Sequence, residues 1–481
     1  MPITAYKKKL YSFNPKNAPP PLPTQSAGKH TRLEPADAAS VEREVRQLLA
    51  DKVSGNLLGL WLLVPEHLRL GTWDLLRAWS GEPTDDAALD ARLALHLVHE
   101  AALCRPTLRA DRSLRHNGFE LVNGLPWLPT DTALHNLLDA HTVQQAHHLE
   151  LSLGKLRRAS GHFPGEVLAL DPHRLVSYSK RDMPERRPNA NEPATKQAQT
   201  FFILDAKTCQ PVCFTNASSA RQLTSATKEL LALAQQILSP AVSGPRPLIV
   251  ADVEHFTVEL LDYVREKTGF DLLVPLRQTK SLQQHYRAIP SEAFVPKWAG
   301  FAIATEIYYP RRSALNQPCY RFIQRSGERP EEYHFKGFVC TADRPEVPAL
   351  TRDFPSRWHI EEFFRFDQSL GWKRAGTLNL NIRLGQMVMA LLAQAVIHQL
   401  RQRLGAPFDQ WDSVHLAQDL FGGLEGDLRV HDDTIVVTYY NAPQAEAWKH
   451  HFENLPARLE REGVDPHVPW LYNFKIDFRF K

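Results

Sequence analysis

The sequence predicts an α/β protein of several domains, built on a mixed β-sheet that is flanked by helices. Its 481 residues correspond to about three domains of roughly 150 residues each. Hydrophobic residues make up 43% of the chain and charged residues 23%, as in globular proteins that bury a core. Between residues 166 and 276, three strand patterns are followed by a helix, a strand, a helix and a strand, which is typical of a mixed sheet.

Composition excludes some classes of protein and leaves others open. The chain has 57 Lys and Arg against 54 Asp and Glu, a net charge of +3 that neither shows nor excludes nucleic-acid binding. Its five cysteines include no C-x-x-C pair, which argues against disulfides and a cysteine-based zinc site and favours a reduced, cytoplasmic compartment. No apolar run reaches the roughly 18–20 residues of a membrane span, so we expect no membrane partner.

The first 160 residues divide into an arm and a helical region. Residues 1–35 are rich in Pro, Lys and Asn and predict a flexible arm. In residues 36–160 apolar side chains recur at helical spacing, which predicts helices over 38–51, 65–79, 85–104, 131–140 and 142–158. The spacing fits DNA-binding helix-turn-helix units and a plain helical bundle equally well, and both hypotheses stay open.

The middle of the chain predicts the α/β domain. Strands are expected at 166–170, 200–205, 211–215, 247–251 and 271–276, with helices at 218–238 and 257–267. Later segments predict further strands at 301–309, 320–325, 333–340 and 434–440, and helices at 355–370, 378–404 and 442–462. The expected domains are the arm (1–35), the helical region (36–160), the α/β domain (161–280 and 346–405), a β-rich insertion within it (281–345) and a C-terminal region (406–481).

Three acidic residues stand out by position. Asp171 and Asp252 each follow an apolar strand, so the fold would deliver both carboxylates to the same sheet edge, and Glu361 lies in a predicted helix with Arg357 one turn before it. A single Asp after a strand is more often a turn or helix-capping residue. Converging carboxylates repel unless a cation joins them, and such oxygen ligands suit two Mg²⁺ or Mn²⁺ ions of the kind that assist phosphoryl transfer.

The stretch Phe354-x2-Arg357-x3-Glu361-x6-Gln368 resembles a signature of the DDE transposases of bacterial insertion sequences. The signature reads Y-x2-R-x3-E-x6-K, so Arg and Glu match at the same spacing, whereas Phe replaces Tyr and Gln replaces Lys. The segment 170–181 is also similar, and the resemblance covers roughly residues 125–405. Gln can still donate a hydrogen bond to phosphate, but without charge.

The resemblance implies an RNase H-like catalytic domain in which Asp171, Asp252 and Glu361 bind two Mg²⁺ (or Mn²⁺) ions. It also implies that Arg357 contacts DNA phosphate, and that the insertion is linked to cut-and-paste excision through a hairpin. Trp298, the tryptophan of this insertion, would then either stack on an unpaired base or be a buried core residue.

The expected activity is that of a DNA transposase, which cleaves transposon ends and transfers strands. Its partners would be double-stranded DNA, as terminal inverted repeats recognised by residues 1–160 and as target DNA, and a second copy of the chain, at the bacterial nucleoid in the cytoplasm. Further DNA-binding candidates are Arg365, Gln368, Lys180, Arg181 and Trp298. Two alternatives are a metal-dependent nuclease without strand transfer and a transposase-derived DNA-binding protein, for which the departures at Phe354 and Gln368 leave room.

Overall fold

The computed structural model describes residues 35–481, apart from 52, 56, 82–87, 105–117, 179–181, 188–192, 241–243, 316 and 373–378. The predicted arm, except for its last residue, and the candidates Lys180 and Arg181 lie outside the described residues. The strands in chain order are β1 Val53–Gly55, β2 Val167–Val176, β3 Gln197–Asp205, β4 Pro211–Ser218, β5 Leu248–Ala251, β6 Asp271–Pro275, β7 Val295–Trp298, β8 Phe301–Tyr308, β9 Cys319–Ser326, β10 His334–Cys340, β11 Gly426–His431, β12 Thr434–Tyr439 and β13 Lys475–Phe480.

The α-helices lie mainly before, between and after these strands. In chain order they are α1 Pro35–Ala50, α2 Val64–Leu70, α3 Thr72–Ser80, α4 Leu89–Ala102, α5 Phe119–Val122, α6 Asp131–Ala140, α7 Val143–Ala159, α8 Leu223–Leu238, α9 Val258–Lys267, α10 Lys280–Ala288, α11 Glu346–Pro348, α12 His359–Asp367, α13 Leu380–Leu404, α14 Ser413–His415, α15 Ala445–Trp448 and α16 Leu455–Arg461. Short 3₁₀ and π-helical turns connect several of them.

A nine-stranded mixed sheet organises the molecule, with the strand order β4-β3-β2-β5-β6-β10-β9-β8-β7. Strands β2, β5 and β6 are parallel neighbours, whereas β2 with β3 and β3 with β4 are antiparallel. Every residue of β3, β5 and β6 is buried, as expected for strands that are covered on both faces. The mixed sheet predicted from the sequence is therefore confirmed.

The strands of the predicted insertion continue this sheet. Strand β10 pairs antiparallel with β6, with Phe338 opposite Pro275 and Cys340 opposite Leu273. Strands β9, β8 and β7 then follow outward by antiparallel pairing. The insertion is thus joined to the α/β domain through backbone hydrogen bonds, and its position depends directly on that of β6.

The N-terminal helices and the C-terminal region share one hydrophobic core with the α/β domain. Strand β1 pairs antiparallel with β11, which places Val53 opposite Leu428 in a four-stranded sheet β1-β11-β12-β13. The side chains of Trp61 and Trp470 are both fully buried in the common core. Helix α13 is apolar and long enough to cross a membrane by length and composition, but 78% of its most hydrophobic window is buried inside the protein.

Several predicted elements differ in the structure, for local reasons. The helix expected at 65–79 is two helices, because Gly71 adopts a left-handed conformation with φ of 65° between them. The helix expected at 442–462 is two short helices: α15 ends at Trp448, and α16 begins after Asn454, which has φ of 56°. The first strand was expected to end at residue 170, but β2 continues to Val176, because β3 is long enough to pair with it throughout.

Candidate active site

Asp171 and Asp252 lie side by side at one edge of the parallel strands. Leu170 on β2 is in register with Ala251 on β5, and the two aspartates are the next residues on their chains. Asp252 follows the end of β5, as predicted. Asp171 does not follow a strand end: it lies within β2, opposite Phe202 of β3. Pairing with β5 stops before Asp171, however, so the two aspartates are the first residues beyond the paired part of these neighbouring strands.

Asp252 is fixed by the turn that follows it. Its Oδ1 accepts a hydrogen bond from the backbone N–H of Val253 at 2.7 Å and so caps the 3₁₀ turn Val253–His255. The same turn carries Glu254, whose carboxylate pairs with Arg174 of β2 at 2.6 Å. The turn therefore places a third carboxylate close enough to Asp171 for its charge to act on that group.

Arg357 reaches the site from a distant part of the chain. Its Nη1 donates a hydrogen bond to Oδ2 of Asp171 at 3.3 Å, and both side chains are mostly buried. Arg357 was expected one turn before Glu361 on a continuous helix. The structure instead places it in a 3₁₀ turn, Pro355–Trp358, because Pro355 lacks an N–H and begins that turn, while α12 begins only at His359.

The site carries more negative charge than its cations neutralise. Burial raises the pKa of Asp171 to about 7, Arg357 and Arg174 oppose the rise, and the neighbouring charges of Glu254 and Asp252 add to it. A mostly buried carboxylate whose charge is opposed by two other carboxylates is an environment that favours a bound cation. All of the donor atoms are hard oxygens, so the residues present fit Mg²⁺ or Mn²⁺.

Glu361 is not gathered into this group. Its side chain is exposed on α12, and within the described part of the chain the carboxylate oxygens of Asp171, Asp252 and Glu361 do not all lie within 4.8 Å of one another. Helix α12 itself is anchored on the sheet, because Phe364 stacks on His173 of β2 at a ring distance of 4.1 Å. The structure thus brings two of the three predicted carboxylates together and leaves the third on an adjacent, anchored helix.

The other predicted DNA contacts are at the surface or outside the described residues. Arg365 is exposed and Gln368 is partly exposed. Phe354, which occupies the position of the Tyr in the signature, packs edge-to-face on Phe338 at 4.9 Å. Trp298 is 51% exposed and stacks in parallel on Phe301 at 4.1 Å, so it is not the buried core residue of the alternative hypothesis.

Two charged side chains beside Asp171, Glu254 and Arg174, were not predicted from the sequence. Their positions in the sequence could have indicated them, because Glu254 lies two residues after Asp252 and Arg174 lies three residues after Asp171. His255, next to Glu254, is fully buried behind them, and burial together with Arg174 lowers its pKa to about 3. It is therefore neutral and adds no positive charge to the site at physiological pH.

The sequence matches no known protein-family model and no curated protein. Among solved structures, six chains match. One of them is the piggyBac transposase in a synaptic complex with hairpin DNA, to which this chain has 11% sequence identity and a TM-score of 0.40. The likeness is distant and covers 77% of this chain and 82% of the piggyBac chain.

Proposed function

We propose that the protein is a DNA transposase that cleaves transposon ends and transfers strands with the help of divalent cations. The observation that carries the proposal is the convergence of Asp171 and Asp252 on adjacent parallel strands, with Arg357 bonded to Asp171. Arg357 belongs to the stretch that resembles the transposase signature, and the fold holds it against Asp171, one of the three predicted carboxylates.

The proposed catalytic domain is RNase H-like. The order β4-β3-β2-β5-β6 supports this, because β2, β3 and β4 form an antiparallel unit and β5 and β6 add parallel to β2. The proposed carboxylates then lie on the first strand of this unit and directly after the fourth.

In this proposal Asp171, Asp252 and Glu361 would hold two Mg²⁺ or Mn²⁺ ions. Such ions lower the pKa of a bound water and stabilise the attacking and leaving oxygens of an in-line phosphoryl displacement. Asp171 and Asp252 are already adjacent, whereas Glu361 is exposed and its side chain must turn toward them. The stacking of Phe364 on His173 keeps the backbone of Glu361 close to β2 while the side chain rotates.

Arg357 has two roles in this account. It neutralises part of the charge on Asp171 in the structure described here. When the carboxylates take a cation as their partner, the guanidinium becomes available to a DNA phosphate, which it can bind through two parallel hydrogen bonds. Arg365, which is exposed, and Gln368, which is partly exposed, lie further along the same segment and would contact neighbouring DNA phosphates.

The proposed partners are the transposon ends, target DNA and a second copy of the chain. Residues 1–160 would recognise terminal inverted repeats, and two protomers would hold two ends together at the bacterial nucleoid. Trp298 presents an exposed aromatic face at the outer end of the sheet, where an unpaired base could stack.

The test uses DNA that carries both sequences flanking the gene as a paired-end substrate, with Mg²⁺ or Mn²⁺. The proposal predicts end cleavage and strand-transfer products, both abolished in Asp252→Asn. This variant is well matched, because Asn retains a side-chain oxygen to accept the hydrogen bond from Val253. Cleavage without strand transfer would favour the nuclease, and metal-independent DNA binding as the only activity would favour the transposase-derived binding protein.

A further inference from the structure

A second group of potential metal ligands lies next to the proposed active site. One ligand atom each from Cys209, His359 and Glu362 lies within 4.8 Å of the others. Among the described residues, no other set of three potential metal ligands meets this distance. We propose that it is a zinc site. It is separate from the carboxylates at Asp171 and Asp252 and does not depend on the proposed transposase activity.

Cys209 is held in a rigid turn between β3 and β4. The buried carboxylate of Asp205 accepts hydrogen bonds from the backbone N–H groups of Lys207 at 3.1 Å and Thr208 at 2.9 Å. The N–H of Cys209 donates to the carbonyl of Asp205 at 2.9 Å, and Cys209 adopts a left-handed backbone with φ of 55°. The thiol position is therefore set by the turn, which reduces the entropy lost when a metal binds.

His359 has the orientation that a metal ligand needs. Its Nδ1 lies 2.5 Å from the carbonyl oxygen of Ala206 in the same turn, so this nitrogen carries the proton and donates. Nε2 then has the free lone pair, and it lies 3.9 Å from the carboxylate of Glu362, one turn along α12. In metal sites the ring nitrogen that does not bind the metal commonly donates to a backbone carbonyl, because this bond fixes the tautomer and the orientation of the imidazole ring.

The mixture of donor atoms selects the kind of metal. Thiolate, imidazole and carboxylate together suit the borderline-soft Zn²⁺, whereas Mg²⁺ and Mn²⁺ prefer all-oxygen sites. Three protein ligands leave the fourth tetrahedral position for water. Binding would deprotonate Cys209 and release the proton to solvent.

Such a site would join two elements of the proposed active site. Cys209 belongs to the turn after β3, whereas His359 and Glu362 belong to the first turn of α12, which also carries Glu361. A bound zinc ion would tie the beginning of this helix to the sheet at a second point, besides the stacking of Phe364 on His173. The proposed effect of the metal is therefore to hold the beginning of α12 against the turn after β3.

The test titrates the full chain, first dialysed against a chelator, with Co²⁺ as a spectroscopic substitute for Zn²⁺. Coordination by Cys209 predicts a thiolate-to-cobalt charge-transfer band that saturates stoichiometrically and that Zn²⁺ abolishes. An all-oxygen site cannot give this band. We expect Cys209→Ser to lose the band, Glu362→Gln to weaken Co²⁺ binding at least about tenfold, and Cys104→Ser, at a half-buried thiol outside this ligand group, to keep both.

A second measurement covers the case in which Cys209→Ser does not fold. In the wild-type chain Zn²⁺ should protect Cys209 from alkylation by iodoacetamide at least about tenfold, as read by peptide mass spectrometry, and should leave Cys104 unprotected. The absence of a thiolate band in the wild type, a band that persists in folded Cys209→Ser, or equal alkylation of Cys209 with and without Zn²⁺ would each overturn the zinc site.

Discussion

The guanidinium of Arg357 donates to the carboxylate of Asp171 at 3.3 Å, although the two residues are 186 positions apart in the chain. This bond connects the turn before α12 to the middle of β2. It opposes, but does not cancel, the effect of burial, which raises the pKa of Asp171 to about 7. The charge balance around Asp171 therefore makes several measurable predictions.

We expect Asp171→Asn to abolish metal-dependent cleavage and yet to stabilise the fold at pH 8. The pKa of Asp171 in the folded state, about 7, lies above the usual value of 3.8. The unfolded chain loses its proton first, so the wild type loses stability as pH rises from about 4 to about 7. Replacement of the buried charge should raise the free energy of unfolding by about 1–3 kcal/mol at pH 8. Urea unfolding measures this difference in the free energy of unfolding, which should vanish near pH 4. A variant less stable than the wild type at pH 8 would contradict the prediction.

Arg357→Gln should move the pH dependence of cleavage to higher pH. Asp171 must be ionised to bind a cation, so cleavage at limiting Mn²⁺ should rise as pH passes the pKa of this carboxyl group. Arg357 lowers that pKa, and its removal therefore raises it. The half-maximal pH of DNA nicking should increase relative to the wild type, and an unchanged profile would show that Arg357 does not act on Asp171.

Glu254→Gln should shift the same profile in the opposite direction. The charge of Glu254 raises the pKa of Asp171, and Glu254 also occupies Arg174 through a contact of 2.6 Å. Neutral Gln at this position removes the repulsion between Glu254 and Asp171 and leaves the positive charge of Arg174 free to act on Asp171. Both changes lower the pKa of Asp171. Nicking assays at limiting Mn²⁺ should therefore show a lower half-maximal pH, and a shift to higher pH would refute this description of the site.

Trp298→Ala should impair excision while it leaves the fold intact. The indole is half exposed and stacks on Phe301, so its loss should cost less than about 1 kcal/mol of stability. If it stacks on an unpaired base, hairpin products should fall at least about fivefold, because such a contact contributes roughly 1–3 kcal/mol. Tyr440→Ala, at an exposed aromatic residue of the C-terminal region to which no DNA contact is assigned, is the control. Equal effects of the two variants would exclude a specific role.

The sequence predicted those parts of the site that depend on local patterns. Asp252 could be placed because the apolar run before it is a complete buried strand, and its partner could be placed because parallel strands share an edge. Glu254 was missed because its importance comes from its contact with Arg174 on another strand. The contact between Arg357 and Asp171 depends on the packing of α12, which no local pattern contains.

Long-range pairing also explains the differences in the fold. The end of β2 could not be predicted, because its last residues pair with β3 and not with β5. Strand β1 is only three residues long and exists because Val53 pairs with Leu428 far along the chain. The ligand group at Cys209 could not be predicted either. His359 lies in a different part of the sequence, and the spacing of the cysteines is not that of a zinc site.

Anomalous diffraction from crystals of the protein bound to its DNA ends and Mn²⁺ would show whether Asp171, Asp252 and Glu361 hold a divalent cation together. We expect manganese peaks about 2.0–2.2 Å from carboxylate oxygens of Asp171 and Asp252, with the side chain of Glu361 turned to complete the site. Manganese bound elsewhere, with Glu361 still directed to solvent beside a bound DNA end, would contradict it.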